Sequence, residues 1–172
     1  MSIAPALIDD LSLPHPLTPR GTRWEMLSDG VMGGLSQGRM TRADVAGQAA
    51  LRLEGDVSLA NNGGFLQLAL DLQPDGRPFD ASGWSAIAFD ACGPAQSYNL
   101  HLRTNAVTRP WQSYRHSFDV GPEWQRITLP FAGFEAHRLD APFDPKTLRR
   151  IGFVAIGRAF HADLAIRSIR LV

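Results

Sequence analysis

The sequence predicts an all-β fold, an antiparallel two-sheet β-sandwich. Three observations predict it. Apolar and polar residues alternate with a period of two in the clearest segments. Short β-like runs recur at near-regular spacing, divided by Gly, Asn and Pro turns. A helical period of 3.6 residues is nowhere sustained. In residues 65–72, Leu66, Leu68, Leu70 and Leu72 form one face and Gln67 and Asp71 the other. In residues 98–104, Tyr98, Leu100 and Leu102 oppose Asn99, His101 and Arg103. This is the pattern of a sheet with one face on a core.

Taken in order, residues 1–20 read as an N-terminal arm and residues 21–172 as a single sandwich domain. Pro14, Pro16 and Pro19 make the end of the arm an ordered connector. Runs at 57–59 and 65–72 flank a turn at Asn61, Asn62, Gly63 and Gly64. Further strands are expected at 84–90, 98–104, 115–120, 125–130, 151–156 and 163–171. The one expected helix is a single turn, capped by Asp144, started by Pro145 and running to about Arg150.

The bulk properties fit this reading. A chain of 172 residues suits one domain and can bury roughly 70% of its unfolded surface, so it needs no covalent staple. Seventeen cationic and 17 acidic side chains cancel, which argues against a nucleic-acid or membrane surface. Cys92 is the single cysteine, so neither an intrachain disulfide nor a Cys-rich metal site can form. Asp9 and Asp10 interrupt the apolar residues at the N-terminus, unlike a secretory signal. No apolar stretch approaches the ~20 residues of a membrane span. A cytoplasmic protein, at most peripheral to a membrane through a partner, is expected.

The most distinctive segment is residues 28–38, which holds Ser28, Asp29, Gly30, Gly33, Gly34, Ser36 and Gly38. It satisfies neither dinucleotide nor P-loop spacing, and no long helix follows to receive a phosphate. Residues 34–38 do match G-x-S-x-G, but that motif needs a strand-to-helix turn, and the residues after it show no apolar helix face. The favoured reading is structural: glycines make a tight turn, and Ser28 and Asp29 bond local backbone N–H groups. Asn61, Asn62, Gly63 and Gly64 read equally as a turn. The two glycine segments are expected to lie against each other, cross-linked by Asp29 or the Asn side chains, with an added contact between Met32 and Phe65. The same ledge could dock a protein partner.

These segments carry a resemblance. Trp24, then Ser-Asp-Gly-Val-Met-Gly-Gly at 28–34 with Ser36, then Val-Ser-Leu at 57–59 and Asn-Asn-Gly-Gly-Phe at 61–65, resemble the complex I intermediate-associated protein family. Residues 102–104, Tyr114, Phe118, Trp124, 129–131, Phe134 and 151–157 are similar in order and spacing, and the similarity spans about residues 20–172. Ala60 stands where the family usually has Glu, and residues 66–69 depart from its Ala-Ser-x-Arg. The resemblance implies a galactose-binding-like jelly roll and a role as an assembly factor or chaperone. Its partner would be a subunit or assembly intermediate of a respiratory complex.

No catalytic set stands out. His15, His101, His116, His137 and His161 form neither HxH nor HExxH, and no cofactor is expected. Whether a metal such as Ca²⁺ binds is left open. Asn99, His101, Arg103, Trp111 and Arg115 form a possible ligand face, since amides, guanidinium groups and an aromatic plate suit sugars. A plain solvated sheet face is the simpler reading. Trp24, Trp84 and Trp124 are expected in packing roles. The leading expectation is therefore a non-enzymatic binding protein, with a carbohydrate-binding module as the alternative. An RNA-associated module is a third, resting on Arg149, Arg150, Arg158, Arg167 and Arg170 as a basic edge, although nucleic acid is an unlikely partner for a neutral chain.

Overall fold

The computed structural model describes residues 5–172, apart from the side chains of Val31, Met32 and Asn62. The expected Met32–Phe65 contact and any Asn62 side-chain bond therefore lie outside the described residues. The strands are β1 (Ala6–Asp9), β2 (Glu25–Ser28), β3 (Gln37–Val45), β4 (Gln48–Val57), β5 (Phe65–Asp71), β6 (Ala86–Cys92), β7 (Gln96–Thr104), β8 (Ser113–Val120), β9 (Gln125–Pro130), β10 (Glu135–His137), β11 (Leu148–Ile156) and β12 (Phe160–Leu171). All their pairings are antiparallel. One sheet runs β3-β4-β12-β6-β9, with β1 against the end of β12; the other runs β10-β8-β7-β11-β5-β2.

The period-two pattern decides what each sheet buries. Leu66, Leu68 and Leu70 of β5, Leu100 and Leu102 of β7 and Phe153 of β11 are fully buried on one side of the core. Leu51 and Leu53 of β4, Phe89 of β6 and Leu164 and Ile166 of β12 meet them from the other sheet. Phe89 stands edge-on to Phe118 and Phe153 at centroid distances of 5.0 and 4.9 Å, tying the layers together. Each such side chain contributes about 1.5–3 kcal/mol of burial free energy, and together they make this the cohesive centre of the fold. Trp24 is buried in this core, Trp84 stacks on Phe79, and Trp124 covers a small outer cluster of Ala50, Cys92 and Ala165.

Four features differ from the sequence expectation. Within the expected arm, Ala6–Asp9 is a strand that pairs with β12, and Ile8 is buried. Asp9, also buried, accepts bonds from Trp24 Nε1 (2.8 Å) and Leu11 N–H (2.9 Å), which anchor this segment to the core. Second, residues 37–57 form the hairpin β3–β4 around Ala46 and Gly47, both at positive φ (46° and 82°), as a two-residue hairpin turn needs. Its polar edge strand β3 hid the alternation. Third, short β2 and β10 were not anticipated. Fourth, the turn capped by Asp144 stops at Thr147, because Leu148 is fully buried and pairs with Thr104 as the first residue of β11.

Candidate functional site

Two regions concentrate polar chemistry, and β5 connects them. At the start of β5 the two glycine segments meet on Asp29. Its carboxylate is fully buried and accepts from Ser36 N–H (3.0 Å), Gly64 N–H (2.5 Å) and Phe65 N–H (3.2 Å), and from the Ser36 hydroxyl. Ser36 Oγ in turn accepts from Ser58 N–H (2.8 Å). Asn61 Nδ2 donates to Gly33 O (3.2 Å), a second strap between the loops. Local chemistry explains why these residues gather. Ser28 caps a 3-10 turn at Asp29–Met32, accepting from Gly30 N–H, and Gly33 closes the turn at φ 83°. A Cβ on Gly34 would stand 2.4 Å from Asp29 Cγ, and one on Gly63 would stand 2.5 Å from Asp29 Oδ2. The glycines thus make room for a buried carboxylate.

Burial pushes the Asp29 carboxyl upward, but the bonds from Ser36, Gly64 and Phe65 outweigh it, and its pKa lies below the ordinary carboxylate value. Asp29 is an anion whose lone pairs are taken by the protein itself. Ser36 is buried, is followed by strand β3 rather than a helix, and has no histidine among its described hydrogen-bond partners. Its surroundings differ from a nucleophile elbow in each respect. Leu35 and Leu59 are the exposed apolar residues flanking this junction.

The second region is the outer face of the sheet containing β7, β8 and β11. Cross-strand register places Arg115, His101, Gly152 and Ala69 in one row and Arg103, Arg150 and Asp71 in the next. Of these, Arg115, His101, Gly152, Arg103 and Arg150, together with Gln67, Gln112 and Ser113, line a polar depression of about 60 Å³. Gly152 matters because a Cβ there would fall 2.1 Å from Gln67 Oε1. Arg103 reaches under the β7–β8 connection, donating to Gln112 O (3.0 Å) and toward Arg109 and Pro110 carbonyls. Arg150 is ion-paired with Asp71 (2.7 Å) and Glu25 (3.4 Å). Arg115 is held only through Nε, which donates to Ser113 Oγ (2.8 Å).

His101 is the unusual member. It is only 9% exposed, yet its Nε2 has no hydrogen-bond partner. Burial first, then the nearby Arg115, His137 and Arg103, push its pKa down to about 3. The imidazole is therefore neutral near pH 7, with one nitrogen a donor and the other an acceptor. Burial also lowers the Arg103 and Arg115 pKa values, aided by Arg149 and Arg150 at the first and Arg138 at the second. Both guanidinium groups stay charged near neutrality.

Of the expected ligand face, the structure brings His101, Arg103 and Arg115 together. Asn99, opposite Ser117 and Val154, lies one row away, and Trp111 is 56% exposed on the β7–β8 connection. Sequence reasoning missed Gln67, Gln112, Arg150 and Gly152. For Arg150 and Gly152 the signal was present as the outward phase of the 151–156 alternation, had it been extended one residue back. The proposed basic edge does not form as one surface: Arg149 and Arg150 belong to β11, while Arg167 and Arg170 belong to β12 of the other sheet. Among the described residues no group of three His, Cys, Asp or Glu is placed to hold a metal, and no helix is long and apolar enough to cross a membrane.

Comparison with known proteins completes the description. Over its full length the chain superposes on the Family 11 carbohydrate-binding module of the cellulosomal cellulase Lic26A-Cel5E of Clostridium thermocellum, with TM-score 0.76, 17% identity and 96% of that chain covered. A Family 30 carbohydrate-binding module of the cellulosomal cellulase Cel9D-Cel44B of Clostridium thermocellum is also similar (TM-score 0.60, 14% identity, 100% and 94% of the two chains covered). At these identities the likeness establishes a shared jelly-roll fold. No curated protein sequence matches the chain. Residues 17–166 match the family described as Complex I intermediate-associated protein 30 (CIA30), and the chain belongs to that family.

Proposed function

With membership of the CIA30 family as the premise, we propose that this jelly roll is a non-enzymatic assembly factor that holds a protein subunit or intermediate of a respiratory complex of the complex I type. The observation that carries the reading is the Asp29 junction. Among the described residues, the two family motifs spend Asp29 and Ser36 on bonds between the loops rather than leaving them open as reactive groups. Their product is a paired ledge, cross-linked by hydrogen bonds, with Leu35 and Leu59 exposed beside it, suited to contact rather than to chemistry. Any membrane association would then be peripheral, through the partner. The test is affinity capture of the intact protein from native extract, with mass spectrometry of what is retained. Respiratory-complex subunits enriched over a tagged control would support the reading; their absence at saturating bait would overturn it.

A second reading has its own observation. The outer face of the β7–β8–β11 sheet offers amide and guanidinium donors beside the exposed Trp111, and the fold is that of carbohydrate-binding modules. Binding on a glycan array, abolished by Trp111→Ala, would favour a carbohydrate-binding role over partner holding. The separation of Arg149 and Arg150 from Arg167 and Arg170 leaves the RNA-associated reading without a surface of its own.

A further inference from the structure

We propose that the depression at His101, Arg103 and Arg115 is a carboxylate-binding site that takes an Asp or Glu side chain of the protein partner. The proposal rests on the partner-holding reading for its occupant, and on the geometry for its chemistry.

Three observations carry it. The first is the unpartnered Nε2 of His101, buried in the sheet face that forms the floor of the depression. A buried polar atom left without a partner is costly, and a ligand that supplies the missing bond recovers that cost. The second is charge. Arg150 is compensated by Asp71 and Glu25, but neither Arg103 nor Arg115 forms an ion pair with any described carboxylate. Glu135, the cross-strand neighbour of Arg115, does not reach it as an ion pair. Arg115 also keeps both terminal nitrogens out of any described hydrogen bond, since only its Nε donates. A guanidinium with a free fork is suited to a planar two-oxygen acceptor.

The third observation is the lining. Arg103, Arg115 and Arg150 all border the depression, and no carboxylate is among the described residues that line it. Such a donor-rich, cationic lining suits an anionic acceptor. In the bound state the carboxylate accepts from the Arg115 fork above the His101 ring, with Arg103 adding charge from beneath the β7–β8 connection. Trp111 is exposed on that connection, between the lining residues Pro110 and Gln112.

The full chain, isotopically labelled, tests this by NMR titration with a capped tri-glutamate peptide, its tri-glutamine counterpart and tri-galacturonate. The groups facing His101 are Arg103 on its own strand, Arg115 on β8, His137 on β10 and, across Gly152, the outer face of β11. All those charged near neutrality are cations, so an arriving carboxylate should move the His101 ring resonances and raise its apparent pKa by about one unit or more. The tri-glutamine peptide should leave them unmoved. Arg115→Gln should weaken the tri-glutamate peptide about tenfold or more, as loss of a charge-assisted hydrogen bond does. Arg126→Gln, on the other sheet, should not. Absence of any His101 shift at millimolar tri-glutamate overturns the site, and preference for tri-galacturonate overturns its assignment to a protein carboxylate. If wild-type protein captures respiratory subunits and Arg115→Gln captures them equally, the site fails while the assembly reading stands. If the peptide binds and nothing is captured, the carboxylate chemistry is supported and the assembly reading fails.

Discussion

Asp29 and His101 are both buried polar side chains reached from β5, and the protein treats them in opposite ways. Asp29 is surrounded by donors from two loops, and its charge is stabilised in place. His101 has a comparable burial but an Nε2 without a hydrogen-bond partner among the described residues. A fully bonded buried charge is costly to disturb and has little capacity left for a ligand. A neutral buried nitrogen without a partner is instead a cost to the folded state, so little stability depends on keeping it. The Gly-rich motifs, expected from the sequence to be structural, spend their described polar groups on one another, whereas the outer face of β7 keeps donors that the described residues do not engage.

The largest expected effect follows directly. Asp29→Ala strands Ser36, Gly64 and Phe65 donors and should cost about 3 kcal/mol or more in a denaturant melt. His101→Leu removes an unsatisfied nitrogen and should change stability by about 1 kcal/mol or less, in either direction. Comparable losses at the two positions would erase the distinction. Gly63→Ala attacks the Asp29 junction from the other loop. Its Cβ would sit 2.5 Å from Oδ2 and 3.0 Å from Gly34 Cα, where backbone cannot easily yield. Overpacking of this kind should cost about 2–3 kcal/mol, and urea midpoints with an unchanged slope would measure it.

Acid separates the two residues by direction and by range. The folded His101 pKa, about 3, lies below its ordinary 6.5, so the unfolded chain takes up that proton first as pH falls. Stability is then lost from about pH 6.5 downward and continues to fall toward pH 3, amounting to about 2 kcal/mol by pH 5. Asp29, whose pKa is lowered, contributes stability above its ordinary 3.8 that disappears only as pH falls through the still lower folded value. His15 and His137 are shifted the same way as His101. The difference between wild type and His101→Leu therefore isolates the His101 share. Parallel stability curves for the two proteins between pH 7 and 5 would show that His101 is not buried neutral.

The strands with clean alternation, such as Phe65–Asp71 and Gln96–Thr104, were legible because one face is wholly apolar. Edge strand β3 was not, since Gln37, Arg39, Thr41, Arg42 and Asp44 interleave with only Met40, Ala43 and Val45 as apolar neighbours. Strand β1 was hidden because Asp9, which reads as a surface residue, is buried against Trp24 by a bond formed between distant segments. The kind of partner Asp29 takes could be read from turn chemistry, because Asp beside closely spaced Gly implies a carboxylate accepting from backbone N–H groups. The depression could be read only in part. His101 and Arg103 share a phase on one strand and Arg115 is named with them from the sequence, but Gln67 and Gly152 arrive through inter-strand register, which single-strand periodicity does not contain.

The smallest expected effect tests whether the Gly-rich motif acts through space or through backbone angle. Gly33 and Gly34 are adjacent in sequence and differ in what they provide. Gly33 closes the 3-10 turn at φ 83°, where a Cβ would meet nothing within 4 Å. Gly34 has no positive φ, but its Cβ would collide with the Asp29 carboxyl at 2.4 Å. Gly33→Ala should then cost only the strain of a left-handed alanine, about 1 kcal/mol, and Gly33→Asn less, because Asn tolerates that region. Gly34→Ala should cost more and should also displace Asp29, weakening the strap to Gly64. Hydrogen exchange at the Gly64 amide distinguishes the two: faster in Gly34→Ala, unchanged in Gly33→Ala. Equal exchange in both variants would mean that the junction depends on turn geometry alone, and the steric role assigned to Gly34 would have to be given up.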